Sequence, residues 1–195
     1  MLDYLIKNVR CINEGHDFRT DLSIKNGRIE ELAPSIEKPS KEEINGEGLI
    51  LIPGMIDDQV HFREPGLTHK AEIYTESRAA AAGGITTFME MPNTVPNALT
   101  IELLEDKYSI AAKNSQVNYS FYLGASNDNL DEIKKMDRSS ICGVKIFMGS
   151  STGNMLVDKD QALEGIFREA GTIITTHCEK EEIIRENTQK DIYVG

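Results

Sequence analysis

The chain has 195 residues, 39% hydrophobic and 27% charged, with a formal net charge of −11. This ordinary globular composition excludes disordered and collagen-like chains and suits one domain, or one with a small piece of another. The acidity argues against a nucleic-acid surface, which needs clustered Lys and Arg to meet phosphates, and no apolar run approaches the ~20 residues of a membrane span. A small anionic substrate stays open, because one positioned Arg can outweigh a distant negative field. Cys11, Cys142 and Cys178 are odd in number and lack Cys-x-x-Cys spacing, which fits reduced thiols in the cytoplasm. The opening MLDYLIKNVR interrupts its apolar residues with charge and has no small-residue cleavage site, so no secretory leader is expected.

Residues 1–52 read as short strands and turns. DYLIKNVRCI leads through a polar turn into DLSIKNGRIEEL, where Asn26-Gly27 sits between alternating stretches, a strong hairpin signal. Pro34, Pro39 and Gly46 then punctuate a polar loop before the apolar LILIPGMI. From residue 53 to 195 the pattern changes. ITTFMEM, VNYSFYLGA, CGVKIFM and GTIITTH are β-rich runs, and KAEIYTESRAAAA, TIELLEDKYSIAAK, DNLDEIKKM and DKDQALEGIFREA between them have helical character. With the run ending near Asp58 this makes five strands at roughly 30-residue spacing, the mark of repeated β-α units and a parallel sheet. No G-x-G-x-x-G follows the first strand, which weakens a dinucleotide-binding reading. The unusual residues fall at strand ends, where barrel enzymes keep their chemistry. The expected fold is α/β: about the first five units of a (β/α)8 TIM-type barrel, preceded by a small N-terminal β-sandwich segment.

Three anomalies carry chemistry. In GMIDDQVHFREPG a buried strand runs into a polar loop, and alternation places Asp57, Gln59 and His61 on one face. Lys145 lies inside the apolar GVKIFM. It either snorkels at an edge strand, or is a buried neutral amine able to capture carbon dioxide as a metal-bridging carbamate. His177 ends the fifth strand in TTHCE, as a hydrogen-bonded strand-end residue or a metal ligand, while Cys178 beside it reads as packing. Together His61, Lys145 and His177 would converge on one barrel mouth. Arg63 has the planar fork that grips a carboxylate. Asn93, in MPNT, is either a second donor or a turn residue after Pro92.

IDDQVHFREPG, MEMPNT, GVKIFM and TTHCE, in that order, resemble the amidohydrolase superfamily and, within it, the dihydroorotases. That resemblance implies reversible hydrolysis of L-dihydroorotate to N-carbamoyl-L-aspartate in pyrimidine biosynthesis, by metal-activated hydroxide attack on the cyclic amide. It implies one or two divalent ions, zinc foremost, held by His61, His177 and Gln59 and bridged by an N6-carboxylated Lys145, with Arg63 and Asn93 binding substrate. Gln59 stands where the family pattern has a His, and its neutral carbonyl is a poorer zinc ligand than imidazole. A further His ligand and the general-base Asp are expected beyond residue 195. The resemblance also implies a homo-oligomer and association with aspartate carbamoyltransferase. The competing readings are a non-catalytic assembly subunit, motivated by Gln59, and another cyclic amidohydrolase of the hydantoinase or allantoinase kind. A half barrel alone would expose strand edges, so self-association is expected of the isolated chain.

Overall fold

Asn26 and Gly27 both take positive φ (51° and 71°), the backbone of a two-residue hairpin turn whose twist suits the flanking strands. They join β2 (His16–Lys25) to β3 (Arg28–Ala33), with Lys25 opposite Arg28. Glu14 and Gly15 do the same between β1 (Leu2–Asn13) and β2. The computed structural model describes residues 1–149 and 153–191. The stretch after β3, predicted to be a polar loop, contains β4 (Ser40–Asn45), which pairs parallel to β1. Its SKEEIN sequence hides the strand because four of its six residues are exposed at the sheet edge, where charge is tolerated and blunts unwanted pairing. β5 (Ile50–Leu51) also adds to β1. Leu2, Leu5 and Ile36 form the small core of this unit, Met1–Gly54.

The second unit, Met55–Gly195, is built on five parallel strands in sequential order. They are β6 (Met55–Val60), β7 (Ile85–Glu90), β8 (Asn118–Gly124), β9 (Gly143–Phe147) and β10 (Ile174–His177). Between them run α1 (Ile73–Ala82), α2 (Ile101–Asn114), α3 (Leu130–Lys135) and α4 (Asp160–Glu169), and α5 (Glu181–Asp191) follows β10. α2 begins at a Thr100 hydroxyl that accepts the Leu103 N–H. Each crossover carries the chain back over one face, so that face is apolar. Val60, Phe62, Phe88, Phe121, Leu123, Val144 and Ile146 form its core with Ile73, Leu104, Ala111, Ile133 and Ile166 from the helices. Strand alternation sends Gln59, His61, Tyr122, Lys145, Phe147, Thr175 and His177 to the opposite face. Sequential parallel strands with one helix-covered face are consecutive units of a β/α barrel. Among the described residues, no helix is long and apolar enough to cross a membrane.

Candidate active site

Two loops make one edge of the site. The loop after β6 contains Arg63 at φ 68°, a cis Glu64-Pro65 bond and Gly66 at φ 84°. The loop after β7 contains Asn93 and a cis Val95-Pro96 bond. The loops are stapled at three points. His61 Nδ1 lies 2.8 Å from Asn93 Oδ1, Val95 N–H donates to Pro65 O at 3.1 Å, and a Cβ on Gly66 would stand 1.9 Å from Val95 O. Gly66 is therefore required twice, for its left-handed backbone and for the close approach. The Glu64 carboxylate accepts the N–H of Ile73 at 2.8 Å and caps α1.

An amide oxygen only accepts, so the His61–Asn93 pair places the proton on Nδ1 and leaves Nε2 with its lone pair. His61 is half-buried and its pKa is lowered. Burial is the largest cause, opposed by the Asn93 bond and reinforced by the charges of Arg63, Lys145 and Lys107. The imidazole is thus neutral at neutral pH. Asn93 Nδ2 has no partner among the described residues. Arg63 is half-buried, and its guanidinium likewise meets no carboxylate among them.

Lys145 decides between its two readings by position. β9 lies between β8 and β10, and the residue is 3% exposed, so it does not reach the surface from an edge. Its amine has no carboxylate or hydrogen-bond partner among the described residues and stands 4.9 Å from the Phe147 ring centroid. Burial lowers its pKa. His177 is the register neighbour of Phe147 and stacks on it at 6.1 Å. Its Nε2 lies 3.3 Å from Glu179 Oε1, and its Nδ1 has no hydrogen-bond partner among the described residues. Phe147 thus touches both residues.

Gln59 is on the same face as His61 but exposed, its backbone N–H donating to Asp57 Oδ1 at 3.1 Å. Cys178, expected to pack, is exposed, because β10 ends at His177 and the residue lies past the sheet. Among the described residues, no three His, Cys, Asp or Glu side chains are placed to hold a metal. The available donors are the two imidazole nitrogens, a kind of group that binds zinc, and the buried amine, which would offer carbamate oxygens once carboxylated. Sequence reading passed over Glu90 and Lys107, a fully buried ion pair at 3.0 Å behind the two loops. The signal was present: Glu90 interrupts ITTFMEM, and Lys107 shares a helix face with Leu104 and Ala111.

Residues 48–188 match the family model described as dihydro-orotase-like. The chain belongs to that family. An allantoinase from Deinococcus radiodurans is 33% identical over 193 residues, which cover 96% of this chain and 43% of the relative. A dihydroorotase from Methanosarcina acetivorans is also 33% identical over 193 residues, covering 97% and 41%. Among solved structures, L-hydantoinase (dihydropyrimidinase) from Arthrobacter aurescens superposes with a TM-score of 0.94 at 29% identity, over 100% of this chain and 45% of that one. The chain thus spans under half the length of the relatives it matches. The likeness supports a partial barrel with a separate mixed sheet, and a cyclic-amide hydrolase lineage. The three names divide among three substrates.

Proposed function

We propose that the chain carries the substrate-facing edge and part of the metal-facing side of a dihydroorotase site, for the reversible hydrolysis of L-dihydroorotate to N-carbamoyl-L-aspartate. One observation carries the choice of an anionic ring. Arg63 is a half-buried residue whose guanidinium has no carboxylate partner among the described residues, close enough to His61 to lower its pKa. A guanidinium left without a protein anion keeps its planar fork available for a ligand carboxylate.

In this reading Arg63 takes the substrate carboxylate through two parallel N–H···O bonds. Asn93 spends its oxygen on His61 and keeps its Nδ2 protons for the same carboxylate. The anchored ring then presents its amide carbonyl toward the face bearing Lys145 and His177, so attack becomes effectively intramolecular. His61 offers Nε2, His177 offers Nδ1 and Gln59 a carbonyl oxygen. Lys145, held toward its neutral form by burial, can add carbon dioxide, its nitrogen forming the N–C bond and releasing a proton to solvent. A divalent ion such as zinc held by these groups would polarise the ring carbonyl and acidify a water.

A second reading, hydrolysis of a neutral ring such as hydantoin or allantoin, draws on the 0.94 TM-score to an L-hydantoinase. The test is a substrate panel on a protein carrying this chain at its relatives' full length. Turnover of dihydroorotate, with kcat/KM lowered about 10- to 100-fold by Arg63→Ala, is the expected result. Turnover of hydantoin or allantoin with dihydroorotate untouched would overturn the dihydroorotase reading in favour of the second.

A further inference from the structure

Glu90 and Lys107 are fully buried in the layer whose apolar core includes Phe62, Phe88, Phe121 and Leu104. Burying an ion pair there costs more than an apolar pair of the same volume. The Lys107 ammonium lies 3.0 Å from Glu90 Oε2, donates to the backbone carbonyl of Met91 at 3.0 Å, and stands 4.9 Å from the Phe121 ring centroid. The amides of Arg63 and Phe62 bear on the Glu90 carboxylate, although neither oxygen completes a hydrogen bond of good geometry. Burial pushes the Glu90 carboxyl up and the Lys107 ammonium down.

Besides the Phe121 ring, the polar contacts of the pair among the described residues run to the two site loops. Glu90 lies under the backbone that carries His61 and Arg63, and Lys107 holds the carbonyl two residues before Asn93. Met91 N–H in turn donates to Val60 O at 3.0 Å. We infer that Glu90 and Lys107 are positioning residues, a dyad behind the sheet that fixes the segments His61–Arg63 and Met91–Asn93 against one another. The inference rests on the reading of His61, Arg63 and Asn93 as site residues. Its test follows their geometry rather than turnover, so either can fail alone.

The experiment compares this chain with the double variant Glu90→Leu/Lys107→Met, in protein labelled with ¹⁵N-histidine. With only four histidines the ring nitrogens are assignable, and the His61 pair reports its tautomer. The expected result is a melting temperature at or above that of the parent, together with collapse of the single-tautomer His61 signature and about tenfold faster exchange of the Arg63 amide. A double variant that keeps the parental His61 signature and Arg63 protection would overturn the inference and leave the pair as packing. Should the double variant not fold, Glu90→Asp gives the same reading, since it keeps the charge and draws the carboxylate back from the Arg63 and Phe62 amides. An unchanged His61 signature there is equally fatal. Loss of the signature in a full-length protein that hydrolyses no dihydroorotate would sink the functional reading and leave the dyad standing.

Discussion

His61 and Asn93, thirty-two residues apart in sequence, meet through a 2.8 Å contact between Nδ1 and Oδ1 that joins the loop after β6 to the loop after β7. The contact sets the tautomer of one residue and the orientation of the other. Asn93→Leu removes the acceptor while keeping the volume, and should cost about 1 kcal/mol, the net worth of one hydrogen bond. Urea unfolding gives that number. The ¹⁵N shifts of the His61 ring should report two tautomers in the variant against one in the parent.

The low pKa of His61 has a sign that can be checked. Its ordinary value is 6.5, and burial, chiefly, holds it below that in the folded chain. The unfolded chain therefore binds this proton first as pH falls. The contribution of the neutral imidazole is complete above pH ~6.5 and is lost as pH falls through the lower, folded-state pKa. His61→Gln should flatten that limb. Urea midpoints of both proteins at about pH 7.5 and about pH 5.5 should differ more for the parent; equal differences would mean His61 is not the group responsible.

Gly66 and Gly84 share a φ of 84° but not their surroundings. At Gly84 nothing lies within 4 Å of an added Cβ, so Gly84→Ala should cost about 1–2 kcal/mol for the left-handed backbone alone. At Gly66 the Cβ would meet Val95 O at 1.9 Å, so Gly66→Ala adds a clash to the same backbone penalty and should cost about 3 kcal/mol or more. Denaturant midpoints measured side by side would show the ranking.

Lys145 is buried with no anionic partner among the described residues. In metal-free protein Lys145→Met should therefore match the parent within about 1 kcal/mol or exceed it. With zinc and bicarbonate added, calorimetry should show the parent gaining melting temperature and the variant not, and elemental analysis should show less bound zinc in the variant. Equal gains in both would remove Lys145 from the metal-binding set.

The parts of the fold that could be read in advance were those where one residue type satisfies one geometric demand. Asn26-Gly27 announces its hairpin because both residues tolerate positive φ, whereas the equivalent turn at Glu14-Gly15 passes as merely polar because Glu is no marker of that conformation. β4 was hidden for a related reason, since an exposed edge strand needs neither alternation nor apolar residues. His61, Lys145 and His177 stood out as polar groups on apolar strands. Glu90 carries the same signal and was passed over, because its partner comes from a helix seventeen residues on, and pairing across layers is not written in local periodicity.

The approach of Gly66 to Val95 has a consequence for anyone re-engineering the substrate preference of this lineage. Loops of successive β-α units are usually treated as interchangeable parts, each replaceable on a constant frame. Here the first two are a single part. A transplanted loop after β7 would arrive with a carbonyl contoured for some other neighbour, and one after β6 would lose the surface that its glycine was shaped to meet. Exchanged as a pair, with the β7 end that roots them, they would carry their fit along.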